Sequence, residues 1–160
     1  MKLTHESTPL SRMATIGPAA TSKLKSDSLL VVDDDPDNRD LMSRRFQRAG
    51  YLVYTAVDAE EALHLLRKTS IDLILLDLMM PGMSGLELLK ILRVDYTPSQ
   101  LPVIMVSALN ESSQIVVALT FGANDYITKP IDFSVAIARI RTQLLRKKAD
   151  QAAGENKEEK

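Results

Sequence analysis

Cysteine is absent from the 160-residue sequence. Disulfides and thiolate metal sites are therefore excluded, as expected of a protein kept in a reducing compartment. No apolar run approaches the roughly 20 residues that a membrane span requires. The opening stretch "MKLTHESTPLSRMATIGPAA" lacks the continuous apolar segment of a secretory signal. These absences predict a cytoplasmic protein with no membrane contact. Aromatic residues make up 4% of the chain, no basic stripe is interleaved with them, and the formal net charge is -1. Nucleic acid binding thus has no electrostatic footprint here.

What the chain does contain is 45% hydrophobic and 26% charged residues, enough for one domain with a genuine core. Residues 1–27 are rich in Ser, Thr, Pro and Ala, with neither a periodic apolar face nor an aromatic residue. Such a segment cannot offset its own ordering entropy, and it is expected to be a flexible N-terminal arm. Residues 149–160 are expected to be a frayed helix end and polar C-terminal tail, which leaves 28–148 as the folded domain.

Within that domain, short apolar runs alternate with segments of helical period. "LLVV", "LVYTA", "IDLILLD", "LPVIMVS" and "DYIT" read as strands. Three of them are apolar almost throughout, as parallel strands covered on both faces must be. Helix starts are legible at Asp35 followed by Pro36, at Asp58 with Glu61, at Ser84 with Glu87 as a capping box, and at Asp132. Gly50 and Gly122 mark helix stops. The apolar faces are Met42, Phe46 and Ala49; Gly85, Leu88, Leu89 and Leu92; Ile115, Ala118 and Leu119; and Ile137, Ile140 and Leu144. All are expected to be core. The pattern predicts an α/β doubly wound parallel sheet of five strands flanked by five helices.

In such a sheet ligands bind at the edge where the strands end. The strands end in Asp33 and Asp34, in Asp77, in Ser107 and in Lys129, whereas the second ends in the uncharged Thr55 and Ala56. Three carboxylates, a hydroxyl and an ammonium therefore converge on one cleft. Two carboxylates 4 Å apart repel by about 4 kcal/mol at an effective dielectric near 20, so three would not stay ionised together without a cation. Mg²⁺, with Mn²⁺ as a substitute, takes oxygen ligands and joins protein carboxylates to phosphate oxygens. Lys129 can pair first with Asp77 and then with a phosphoryl group, and Asp77 can attack in line as a nucleophile.

Taken singly, each residue has an ordinary explanation. Asp35 is a helix cap and dipole partner and stays outside the site. Asp77 could cap a turn, Ser107 could be a satisfied strand-end hydroxyl, and Lys129 a surface lysine before a proline. Their joint placement on four strand ends is what favours chemistry. His5 falls in the expected arm and His64 on a helix among Leu63, Leu65 and Leu66, so neither histidine is assigned to the site.

The stretches "LLVVDDDPDNR", "LILLDLMMPGMSGLELL", "PVIMVSA" and "GANDYITKP" together resemble the receiver domains of two-component response regulators, over about Ser28 to Leu145. Asp77 lies 43 positions after Asp34, Ser107 a further 30 on, and Lys129 a further 22, intervals that suit whole strand–helix units. The resemblance implies a flavodoxin-like fold of strand order 2-1-3-4-5. It implies that Asp77 is the phosphoacceptor, taking a phosphoryl group from a phosphohistidine on a sensor histidine kinase or a histidine phosphotransfer protein. It makes Asp34 a direct metal ligand, Asp33 a ligand through water, and the backbone carbonyl of Met79 the third protein ligand besides Asp77. Ser107 and Lys129 would contact the phosphoryl oxygens, and Lys129-Pro130 would be a cis peptide. Pro81, Gly82 and Gly85 would shape the loop after Asp77. Ser107 and Tyr126 resemble the pair that couples phosphorylation to the face formed by the fourth helix, fifth strand and fifth helix. Ser107 stands where many members have Thr, and the hydroxyl is retained.

Output is the open part of this reading. No helix-turn-helix, cyclase or phosphodiesterase motif follows Lys129, and large apolar residues stop at Leu145, so no sustained heptad supports a coiled coil. The expectation is either a stand-alone receiver with a downstream protein effector or a receiver separated from a fused output domain. Two other functions are weighed. A Mg²⁺-dependent phosphohydrolase with an aspartyl nucleophile, as in the haloacid dehalogenase family, wants an acid two residues after the nucleophile, where Met79 stands. A docking module that is never phosphorylated would usually lack one of the acids or the lysine, and all are present. Met79 and Leu109, two residues after Asp77 and Ser107, are apolar and cannot orient an attacking water, which predicts a long-lived phosphoaspartate.

Overall fold

The computed structural model describes residues 25–158. Residues 1–24 of the expected arm lie outside them; Asp27, also assigned to the arm, is already tied to the domain. Its carboxylate accepts from Lys148 at 2.9 Å and its carbonyl accepts from the Leu52 N–H at 3.0 Å.

The apolar runs become β1 (Ser28–Val32), β2 (Leu52–Ala56), β3 (Leu73–Asp77), β4 (Val103–Ser107) and β5 (Asp125–Thr128), all parallel, in the order β2-β1-β3-β4-β5. β1, β3 and β4 are buried at every residue, because their side chains alternate between two covered faces. Leu30, Val32, Ile74, Leu76, Val103 and Met105 enter one core with Ala62, Leu88, Leu89, Leu92 and Ala118. Leu29, Val31, Leu73, Leu75, Ile104 and Val106 enter the other with Met42, Phe46, Ile140 and Leu144. Edge strand β2 buries only Ala56, since one side has no neighbour.

The helices are α1 (Pro36–Arg48), α2 (Ala59–Lys68), α3 (Gly85–Asp95), α4 (Ser112–Thr120) and α5 (Phe133–Glu158). The expected starts are present as hydrogen bonds. Asp35 accepts from the N–H groups of Asp37 and Asn38, Asp58 from Glu61, and Asp132 from Ser134 and Val135, while Ser84 and Glu87 close a reciprocal capping box. Just past α1 and α4, Gly50 and Gly122 take φ of 99° and 100°, a region costly for any residue with a Cβ. Glu111, just before α4, makes no side-chain cap bond, which is why no start was legible there.

Two expectations are corrected. Ala49 is exposed, because it caps α1 after the last buried turn. Leu119 is 44% exposed, because α4 is short and seats only Ala118 fully against the sheet. The polar segment from 149 continues α5 as helix through Glu158. Ala, Gln, Glu and Lys favour helix there, and Asp150 accepts a bond from Ser99 Oγ at 2.7 Å. Two polar residues of α5 are buried for specific partners: Lys147 reaches Asp72 at 3.3 Å and Gln143 faces Asn124 at 3.4 Å. Among the described residues, no helix is long and apolar enough to cross a membrane.

Candidate metal and phosphoryl site

The register pairs Val32 with Leu76, Asp77 with Val106 and Ser107 with Thr128, so the polar strand ends finish level with one another. Asp33, Asp34 and Asp77 each offer an oxygen within 4.8 Å of the others. Asp33 and Asp77 are buried, at 1% and 6% exposure, whereas Asp34 faces solvent. The Lys129 ammonium lies between the buried pair, 2.9 Å from Asp33 Oδ2 and 3.1 Å from Asp77 Oδ2. The other oxygen of each accepts a backbone N–H: Asp35 to Asp33 at 2.9 Å and Met79 to Asp77 at 3.0 Å. Lys129 thus holds Asp33 as well as the expected Asp77.

Burial pushes the Asp77 carboxyl above its ordinary value, and the Asp33 charge adds to this, against the Met79 N–H and Lys129. Burial alone would lower the Lys129 ammonium; its bonds to Asp33 and Asp77 outweigh that and hold it above its ordinary value. The site stores negative charge that one lysine only partly offsets. A hard dication fits the donor set: three carboxylate oxygens within mutual reach, no nitrogen or sulfur donor, and one ligand open to water. Asp33, Asp34 and Asp77 are the residues that would hold it.

The close start of α3 at Gly85 positions Asp77. Gly85 N–H donates to the Leu78 carbonyl at 3.0 Å, and a Cβ at Gly85 would collide with the Asp77 carbonyl, so only glycine lets α3 start this close to the strand end. The Met79 side chain is 63% exposed at the rim. Lys129-Pro130 is cis.

Ser107 is fully buried, and its Oγ accepts the Leu109 N–H at 3.2 Å. The Tyr126 hydroxyl donates to the Leu109 carbonyl at 2.6 Å with the ring 7% exposed. Ser107 and Tyr126 are therefore joined through the two sides of one residue's backbone. Leu109 is half-buried against the core beside β4, not at the rim with Met79. His64 is exposed on α2, away from the cluster.

Sequence reasoning missed a polar node at the opposite edge of the sheet. Arg93 donates to the carbonyls of Gly122 at 2.8 Å and Leu101 at 2.9 Å, and to Asn124 Oδ1 at 3.0 Å. Burial lowers its guanidinium to about 10. Asn124 Oδ1 also accepts the Val103 N–H at 2.9 Å, so the node ties α3, the α4–β5 turn and the start of β4. The one sequence signal was Asn124 inside "GANDYITKP"; Arg93 bonds mainly to backbone carbonyls, which no side-chain pattern announces.

Residues 29–141 match the family described as "Response regulator receiver domain". The chain belongs to this family. As a receiver, it is 38% identical over 121 residues to "Response regulator GtcR" of Aneurinibacillus migulanus, covering 76% of this chain and 49% of that protein. It is 41% identical over 119 residues to "Transcriptional regulatory protein AfsQ1" of Streptomyces coelicolor, covering 74% of this chain and 52% of the relative. The chain thus spans about half the length of the curated relatives it matches. Among solved structures, the Francisella response regulator 1452 receiver domain superposes with a TM-score of 0.70 at 35% identity, covering 76% of this chain and 98% of that one. The CheY-like receiver from Methanospirillum hungatei superposes with a TM-score of 0.71 at 28% identity, covering 78% of this chain and 98% of that one.

Proposed function

We propose that this receiver accepts a phosphoryl group on Asp77 from a phosphohistidine of a sensor histidine kinase or histidine phosphotransfer protein, in a Mg²⁺-dependent reaction. The α4–β5–α5 face then changes for a protein effector or an output domain. The observation that carries this reading is Asp77 itself: a buried carboxylate at a strand end, hydrogen-bonded to a lysine and grouped with two further acids.

Lys129 is the movable partner. Its ammonium can swing from Asp77 Oδ2 to the incoming phosphoryl oxygens, which frees that oxygen to attack phosphorus in line. The new O–P bond forms as the donor's P–N bond breaks, and the imidazole leaves to take its proton from solvent. When bound, Mg²⁺ supplies positive charge to the phosphoryl oxygens, with the Met79 carbonyl as the proposed backbone ligand. The Ser107 hydroxyl already accepts from Leu109, so its own proton is free to be donated to a phosphoryl oxygen. Turning inward to do so loosens Leu109 and, through its carbonyl, the hydrogen bond that holds Tyr126. A cytoplasmic location goes with such a phosphodonor.

Intact mass after incubation with Mg²⁺ and acetyl phosphate tests the reading. The wild type is expected to gain one phosphate and Asp77→Asn none, with both folded. An unmodified wild type would favour a docking module. Amide shifts on adding beryllofluoride are expected along α4, β5 and α5; shifts confined to the five site residues would argue against a switch.

A further inference from the structure

The two acids after β1 are held very differently. Asp33 is gripped on three sides: Oδ1 by the Asp35 N–H at 2.9 Å, Oδ2 by Lys129 at 2.9 Å, and its own N–H by the Ala56 carbonyl at 3.2 Å. Asp34 is exposed, and no side-chain hydrogen bond holds its carboxylate among the described residues. Where that carboxylate points is therefore decided by its backbone. The peptide that leads into Asp34 begins at the Asp33 carbonyl, and that oxygen accepts a bond from Arg39 Nη1 at 2.8 Å. Arg39 stands in the first turn of α1, half-buried, with its own N–H bonded to the Asp35 carbonyl at 3.0 Å. The guanidinium thus closes a loop from the helix back to the strand end.

We infer that Arg39 is a positioning residue: it fixes the Asp33–Asp34 peptide so that the Asp34 carboxylate stays gathered with Asp33 and Asp77 for a divalent cation. This rests on the reading that the three acids hold Mg²⁺. Positioning and charge make opposite demands on Arg39. A guanidinium beside the cluster repels a dication, so by Coulomb's law alone its removal tightens Mg²⁺ binding. If it acts by holding the peptide, its removal weakens binding, because the open acid then samples orientations away from the other two. Lysine keeps the charge and can donate from its ammonium but lacks the planar fork, and it preserves the hold in part.

Mg²⁺ titration of the full chain, followed by amide chemical shifts, separates these cases. Arg39→Ala is expected to weaken Mg²⁺ binding about 10-fold, the low end for losing an outer-shell partner. Arg39→Lys should fall between the two. Arg44→Ala, which removes an exposed charge paired with Asp40 on the same helix, should stay within about twofold of wild type. In the metal-free protein, the amides of Asp34 and Asp35 should shift in Arg39→Ala while melting temperature changes little. Binding by Arg39→Ala as tight as wild type, or tighter, overturns the inference. Should that variant not fold, Arg39→Gln, too short to reach the Asp33 carbonyl, carries the same expectation and the same refutation. A wild type that binds no Mg²⁺ would instead refute the metal reading beneath it.

Discussion

Lys129→Met isolates the charge at the centre of the site, since it keeps most of the aliphatic stem and removes the ammonium. Asp33 and Asp77 would then face each other with oxygens within 4.8 Å, both buried, with nothing but Asp35 and Met79 N–H groups on their far oxygens. At an effective dielectric near 20, that separation corresponds to a repulsion of about 3.5 kcal/mol. Breaking a buried pair by removing one partner costs about 3–5 kcal/mol. The metal-free variant should therefore unfold with about 3 kcal/mol less stability at pH 7 in urea titrations. The pH dependence has a definite sign. Asp77 already lies above its ordinary 3.8 through burial and Asp33, and loss of the lysine raises it further. A carboxyl raised in the folded state binds its proton more readily there than in the unfolded chain. The penalty is thus present above the folded value and relieved as pH falls through it, so the gap to wild type should narrow as pH is lowered from 7. Mg²⁺ should narrow it too. A loss below about 1 kcal/mol at pH 7, or a gap independent of both pH and Mg²⁺, would refute this account of the site.

Asp34→Ala should weaken Mg²⁺ binding while the metal-free protein holds or gains stability, because an exposed like charge beside two acids is removed. A large loss of metal-free stability would make Asp34 structural. Met79→Asn should hasten loss of the phosphoryl group with Mg²⁺ affinity unchanged, since it places a polar group at the exposed rim where water approaches; following the phosphorylated fraction over time decides it, and equal decay rates count against the idea. Leu109 is the weaker site for this test, because it packs toward the core. Asp72 is pulled below its ordinary 3.8 by the Ser28 N–H at 2.8 Å and by Lys147, against the opposing effect of burial. A depressed carboxyl stabilises above the unfolded value and loses that contribution as pH falls through the folded one, so Asp72→Asn should cost about 1 kcal/mol at pH 7 and progressively less as pH falls below the ordinary carboxylate value. An equal cost at every pH would show that the charge is irrelevant.

The parts of this protein that were legible in its sequence are those set by local chemistry. Asp35, Asp58, Ser84 and Asp132 cap helices by reaching N–H groups two or three residues ahead, so their spacing alone announces them. The acidic cluster was legible for a related reason: each member ends a strand, and a right-handed parallel sheet brings strand ends to one edge whatever the details of packing. What only the tertiary structure decided depends on how elements sit against one another. Lys129 turned out to grip Asp33 as closely as Asp77, across 96 residues of chain. Ser107 and Tyr126 proved to be linked through the backbone of Leu109, and Arg39 and Arg93 proved to bond mainly to carbonyl oxygens. Every residue carries such a carbonyl, so no residue type marks where one will be used. The exposure of Ala49 and Leu119 has the same origin, since helical period names a face, and the length of helix that meets the sheet decides how much of that face is covered.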